Sequence, residues 1–223
     1  EFSREKVNNF FKNKPQLLAL DAGTDSGIIK NKKDKGNLYY LKYNELNKKI
    51  KKYVPEDIYY DRNSYKNVEE RLRSLSQPVK IIIKQQLAFD IDPENIPCSC
   101  KSKYPKFCNK CLRKTILFAI KLGEQLKEQF KDIQLVYSGR GCHVHVFDTK
   151  AYTLTTQERK ELNKQVKQYA IDPWVSEGKS NLIRLPYSLN GLVSRIVMPL
   201  TIQEAKKFDP LTNKKIIPKF LNK

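Results

Sequence analysis

The chain reads as an α+β protein with mixed or antiparallel sheets, and three stretches carry that reading. Val79 to Asp92 is strand-like, with β-branched Ile81, Ile82 and Ile83 leading into Leu87-Ala88-Phe89. Leu112 to Phe130 sets Leu112, Ile116, Ile120 and Leu126 on one stripe, the spacing of an amphipathic helix. Ile133 to Tyr137 and Cys142 to Phe147 flank Ser138-Gly139-Arg140-Gly141, the pattern of a hairpin. Strands and helices do not alternate regularly, so parallel βαβ winding is not expected.

The other elements are shorter. Residues 1–77 are rich in Lys, Asn and Tyr with weak periodicity. Within them Leu38 to Tyr43 reads as a strand, Asn31 to Asn37 as a loop, and Val68 to Leu75 as a short helix ended by Pro78. Thr155 to Tyr169 is a predicted helix opened by the capping box Thr155-x-x-Glu158. Leu182 to Leu185 and Arg195 to Met198 read as further strands. With no repeat and no low-complexity linker, residues 1–223 are expected to form one domain.

The 223 residues are 39% hydrophobic, enough for a core, and no apolar run approaches a membrane span. Glu1-Phe2-Ser3-Arg4 lacks a methionine and a signal-peptide pattern, so the chain reads as trimmed at its start. Net charge is +19, from 43 Lys and Arg against 24 Asp and Glu. Such an imbalance attracts polyanions, nucleic acid first among them. Part of the lysine excess is also what a solvated surface or a lysine-rich genome gives. Four of the five cysteines cluster between Cys98 and Cys111, which points to metal and a reducing cytoplasm.

Four groups of residues can do chemistry. Asp90 and Asp92 stand two apart, so in a strand both leave the face that Leu87, Phe89 and Ile91 turn to the core. Paired carboxylates of this kind suit Mg²⁺ or Mn²⁺, although two solvated acids at a strand end would look the same. Cys98-x-Cys100-x7-Cys108-x2-Cys111 matches a closed four-thiolate site, hence a structural Zn²⁺ knuckle over 98–111. Ser138-Gly139-Arg140-Gly141-Cys142-His143-Val144-His145 offers a tight turn, a planar guanidinium fork and the chain's two histidines on one strand face. Phosphate contact suits it better than a His-x-His metal pair, because Arg140 would repel a cation. Asp172 before Pro173, and Arg184 in Leu182 to Gly191, say little alone: a turn aspartate and a surface charge explain them too.

In order, these segments resemble the catalytic subunit of the archaeo-eukaryotic primase superfamily, and the resemblance covers residues 79–210. It rests on Asp90-Ile91-Asp92, the four cysteines, Ser138 to His143, Asp172, and Leu182 to Asn190. It implies an RRM-like catalytic core with an inserted zinc knuckle. It implies that Asp90, Asp92 and Asp172 hold two divalent metals, and that Ser138, Arg140, Gly141 and His143 meet the triphosphate of an incoming NTP or dNTP. Arg184 stands where the family has a basic residue near those phosphates. Asn190 stands where the family usually has His, so one triphosphate or sugar contact is altered. The implied activity is template-dependent nucleotidyl transfer on single-stranded DNA, in the cytoplasm or nucleoid and away from membranes, with an accessory subunit or fused domain as a further partner. Two rivals are a zinc-bearing nucleic-acid-binding module without catalysis, which leaves the acids idle, and a nuclease built on the same carboxylates. A polymerase of the Gly-Ser plus DxD type lacks its Gly-Ser helix start before Asp90.

Overall fold

A computed structural model of the chain describes residues 3–21, 38–74, 82–100 and 108–221. In chain order the first half forms α1 (Arg4–Phe10), β1 (Leu17–Asp21), β2 (Leu38–Lys42), α2 (Leu46–Tyr53), β3 (Asp57–Asp61), β4 (Asn63–Tyr65) and α3 (Val68–Arg73). There follow β5 (Ile82–Gln85), β6 (Leu87–Ile91), α4 (Asn109–Leu126), β7 (Ile133–Tyr137), β8 (Cys142–Val146) and α5 (Thr156–Val166). The chain closes with α6 (Pro173–Ser176), β9 (Leu182–Arg184), β10 (Leu189–Asn190), β11 (Arg195–Ile196), β12 (Met198–Leu200) and α7 (Ile202–Lys206).

Every strand pairing is antiparallel. One sheet runs β12-β7-β8-β6, and a larger one runs β11-β10-β3-β1-β2 with β9 also on β3. β4 and β5 form a separate two-stranded ribbon. The expected α+β class with antiparallel sheets is what is found.

Two apolar clusters explain the layering. Leu87, Phe89 and Ile91 of β6 and Val144 and Val146 of β8 pack with Leu112, Ile116, Leu122 and Leu126 of α4 and Leu162 of α5. The opposite face of the same sheet, through Ala88 and Phe147, packs with Leu18 and Leu20 of β1 and Ile58 and Tyr60 of β3. The four-stranded sheet is therefore the middle layer, helices on one side and the larger sheet on the other. All five residues of β8 are buried, which needs apolar or partnered side chains on both faces. At about 1.5–3 kcal/mol for each fully buried large apolar side chain, these clusters supply the main drive for folding.

Local signals account for most boundaries. Thr155 caps α5 through the expected reciprocal box: Glu158 N–H donates to Thr155 Oγ1 at 3.2 Å and Thr155 N–H donates to Glu158 Oε2 at 2.7 Å. The helix passes into a 3₁₀ turn over Lys167–Tyr169, so its α-helical part is shorter than the sequence pattern suggested. α4 starts three residues earlier than the apolar stripe, because the Cys108 thiol caps it by accepting from Cys111 N–H at 3.3 Å.

Three readings change. The stretch Val79 to Asp92 is not one strand; as far as it is described, it divides into β5 and β6 in different sheets. Gln86 is the break: its N–H donates to Arg62 O at 2.9 Å and its side chain accepts from the Tyr60 hydroxyl at 2.7 Å. The weakly periodic N-terminal region contains β1 and β3, which no alternation announces because Leu17 to Leu20 are buried on both faces. The expected strand Arg195 to Met198 is two, β11 in the larger sheet and β12 in the smaller one. The predicted loop Asn31 to Asn37 lies outside the described residues. Among them, no helix is long and apolar enough to cross a membrane.

A buried polar bridge joins the two sheets. Tyr60 donates to Gln86, and its oxygen lies 3.0 Å from His145 Nδ1. Burial holds His145 well below the ordinary imidazole range, so the ring is neutral and donates through Nδ1 to the hydroxyl. Tyr60→Phe strands two buried polar partners and is expected to cost about 1–3 kcal/mol of stability. Urea denaturation reads this directly, and an unmoved midpoint would show that the bridge contributes nothing.

Candidate active site

The site opens where the two sheets diverge at the end of β6. Asp90 is paired across the ladder with His143 of β8. Alternation then places Asp90 and His143 on the face toward the larger sheet, as the sequence pattern required. That face is not open solvent: the Asp90 and Asp92 side chains keep only 20% and 30% exposure. They share a cleft of about 280 Å³ with Ser138, Arg140, His143, Arg184 and Asn190.

The turn between β7 and β8 is fastened from two sides. Gly141 N–H donates to Ser138 Oγ at 3.0 Å, and Ser138 N–H donates to Gly141 O at 3.1 Å. Asn190 Nδ2 donates to Ser138 O at 2.8 Å. Gly139 holds φ +100°, and a Cβ there would sit 2.6 Å from Asn190 Cβ, so glycine is required twice over. At Gly141 a Cβ would come within 2.7 Å of Asp92 Oδ1, so the absence of a side chain lets the turn lie against the end of β6.

Asp172 arrives from another part of the chain. Its N–H donates to Asp90 O at 2.8 Å. Its carboxylate caps α6, accepting from Trp174 N–H at 2.8 Å. The backbone at Asp172 is extended, as the following proline dictates. It is thus a helix cap that lies beside β6. The turn-former role and proximity to Asp90 coexist in one residue.

Charge in the cleft is unevenly matched. Arg140 reaches Glu94 at 2.5 Å and Asp92 at 3.5 Å. Arg184 pairs with Asp57 and lies over the Tyr59 ring, 5.0 Å from its centroid. Among the described residues no Lys or Arg pairs with Asp90 or Asp172, and Asp90 Oδ1 is buried without a hydrogen-bond partner. Burial first and the Asp172 charge second push Asp90 up to about 7. Burial first and Asp90 second push Asp92 to about 7. A cation between these oxygens would relieve the strain, and a bare buried carboxylate oxygen is what a hard divalent ion ligates. Burial pulls His143 down to about 3, so the ring offers a hydrogen bond and no charge.

Residues that the sequence did not mark complete the site. Arg62, 2% exposed, donates to Gln86 O and Val175 O at 2.8 Å each, and to Ser180 O. Arg159, 3% exposed, donates to Gln85 O at 2.7 Å and Ser176 O at 3.4 Å. Burial lowers each to about 10, so both remain charged at neutral pH. Together they tie the β5–β6 junction to α6, which fixes Asp172 beside Asp90. Arginines spent on carbonyls leave no sequence signature; Glu94 and Asp57 are likewise invisible until their partners are placed.

The cysteine group is a second, separate site. The sulfurs of Cys98, Cys100, Cys108 and Cys111 all lie within 4.8 Å of one another. Cys98–Cys108 and Cys100–Cys111 are each 3.8 Å apart, close to the ~3.8 Å edge of a tetrahedron with metal–sulfur bonds of about 2.3 Å. The four thiols can hold one metal ion.

The fold is of the primase-polymerase type: the polymerase domain of Mycobacterium tuberculosis ligase D, solved in complex with DNA, superposes with a TM-score of 0.51. Identity is 16%, over 91% of this chain and 69% of that one, so the likeness concerns the fold. The family model for the DNA primase small subunit matches residues 89–170, which include Asp90, Asp92, the cysteines and the β7–β8 turn. An uncharacterized DNA primase small subunit-like protein of Archaeoglobus fulgidus is 44% identical over 186 residues, 77% of this chain and 66% of that protein. The DNA primase small subunit of Thermoplasma volcanium is 32% identical over 124 residues, 55% of this chain and 36% of that protein. The chain belongs to the archaeo-eukaryotic primase family, and its matches span about two thirds or less of these relatives' length.

Cys108 caps α4, and its thiol is one of the four that can hold a metal ion, so its loss would act twice. Cys108→Ser, or stripping the ion with a chelator, is expected to lower the melting temperature by at least several degrees, because structural metal binding is folding free energy. Full thermal stability of the variant would exclude a structural ion.

Proposed function

We propose that the chain is a template-dependent nucleotidyltransferase, a DNA primase or primase-polymerase that forms phosphodiester bonds from NTPs or dNTPs. The observation that carries this reading is the convergence of Asp90, Asp92 and Asp172, three acids from two distant segments, beside a cleft walled by Arg140, Arg184 and His143. In this reading residues 1–223 act as one catalytic unit. The four-stranded sheet with α4 on one face serves as its RRM-like core, and 98–111 as a zinc knuckle. An accessory subunit or fused domain is a further partner in this reading.

Asp90, Asp92 and Asp172 would hold two Mg²⁺ or Mn²⁺ ions. Such ions favour ionisation of an attacking 3′-hydroxyl and stabilise the leaving pyrophosphate. The protein's own groups do the rest. Arg140 leaves Glu94 to meet a phosphate with its planar fork. Arg184, steadied by Asp57 and Tyr59, faces the same cleft and offsets charge that grows in the transition state. Neutral His143 orients Asp90 and offers a hydrogen bond. Ser138, Gly141 and Asn190 keep the turn at the height at which its backbone can approach a triphosphate. The +19 charge holds the template through its phosphates, without regard to sequence.

Asp172→Asn keeps shape and the cap's acceptor oxygen while removing charge. It is expected to leave folding and metal-free DNA binding intact and to cut primer extension by more than about 100-fold. Labelled-nucleotide incorporation on a template measures it; near-normal synthesis in both Mg²⁺ and Mn²⁺ would remove Asp172 from the catalytic set, and shortening of the strand would point to a nuclease instead. Affinity for single-stranded DNA is expected to fall linearly in log salt, with a slope of about −0.7 per neutralised phosphate. A flat dependence between low and moderate ionic strength would contradict phosphate-dominated binding.

A further inference from the structure

We infer that Trp174 and Lys179 form a stacking site for an unpaired nucleobase at the Asp172 side of the cleft. The inference rests on the nucleotidyl-transfer reading above and adds a contact that none of the cleft's acids and arginines provides.

Trp174 is the chain's only tryptophan, and 59% of it is exposed. A buried indole would remove about 150–250 Å² from water, so leaving it out forfeits a large packing gain. A lone exposed apolar residue needs no explanation, but this one is not alone. It adjoins Val175, which lines the cleft, and Leu192 of the same cleft is 47% exposed. Apolar Val175 and Leu192 thus line part of the charged cleft beside the α6 segment that carries Trp174, and apolar surface next to charge suits a base joined to its phosphate.

The ring is carried on a fixed backbone. Trp174 N–H donates to Asp172 Oδ1 at 2.8 Å, and Trp174 O accepts from the N–H groups of Lys179 and Ser180 at 3.1 Å each. Arg62 anchors the residues on either side through Val175 O and Ser180 O. A platform held this way loses little entropy when a planar partner stacks on it.

The Lys179 ammonium lies 5.3 Å from the indole centroid and 3.0 Å from Glu177 Oε2. Cation beside aromatic is the combination that binds a base together with its phosphate. The net charge of +19 favours an anionic occupant. Only a base free of its stacked neighbours exposes the face the indole needs, so the partner is single-stranded or mononucleotide. Stacking is tolerant of sequence, as a template-directed enzyme requires.

The test uses the full chain. Quenching of its sole tryptophan is followed while titrating a single-stranded oligonucleotide, the same strand with abasic sites, and a nucleoside triphosphate. Affinities are measured independently by anisotropy of the labelled strands, for wild type, Trp174→Phe and Trp174→Ala, after matching melting curves. Trp174→Ala is expected to weaken the ordinary strand by about 5- to 100-fold and Trp174→Phe by less than about 5-fold, with abasic strand affinity unchanged in all three. If the loss appears for the triphosphate and not for the strand, the same site takes the incoming nucleotide's base. Equal affinities of wild type and Trp174→Ala for both ligands, or equal losses on ordinary and abasic strands, would overturn the site. A stacking loss in Trp174→Ala together with no primer extension by the wild type overturns nucleotidyl transfer alone. Wild-type extension with unaltered Trp174→Ala binding overturns stacking alone.

Discussion

Negative charge held out of water is the constraint from which most of this structure follows. Asp90, Asp92, Asp172 and Glu94 gather at one end of one strand, where burial and neighbouring acids disfavour the ionised forms of Asp90 and Asp92. Every nearby basic group is placed in answer to that. Arg140 is shared by Asp92 and Glu94, Arg184 is held by Asp57, and Arg62 and Arg159 spend their donors on carbonyls behind the acids. The imbalance that survives is at Asp90, whose buried Oδ1 has no hydrogen-bond partner. Glycines at 139 and 141 keep the turn close, since a side chain at either would push it away from Asn190 or Asp92.

The helical layer and the catalytic sheet were readable because their signals are local. Alternation around Phe89, the stripe from Leu112 to Leu126, the capping box at Thr155 and the turn at Ser138 each depend on residues a few positions apart. That Asp90 and Arg140 line one cleft and that four cysteines cluster was legible for the same reason. Asp172 was different: nothing within ten residues distinguishes it from an ordinary cap, and it is in fact a cap. Only its hydrogen bond to Asp90 O joins it to the site, and that contact spans 82 positions of sequence.

Of the larger sheet, β2, β9 and β11 fall within stretches that read as strands, but its central strands β1 and β3 were missed for a physical reason. Its central strands have no solvent face, so Leu17 to Leu20 are apolar without period, and Tyr59 and Tyr60 look like part of a tyrosine-rich loop. Its remaining strands, β9 to β11, are two or three residues long and come from the far end of the chain. Long-range pairing of this kind leaves little trace in a window of ten residues. The break at Gln86 was missed because a buried amide there satisfies Tyr60, a partner no local pattern announces.

The hydrogen bond from Asp172 N–H to Asp90 O has a consequence beyond geometry. β6 pairs with β8 on one side only, so its other edge would offer free carbonyls and amides to any extended chain. The segment leading into α6 sits across that edge and occupies it at the acid itself. The residue that completes the charge cluster is also a guard against edge-to-edge self-association. Because the guarding group is the backbone amide, side-chain changes at this position leave the edge covered. Proline there would remove the amide and open the strand to aggregation, which makes position 172 intolerant in two unrelated ways.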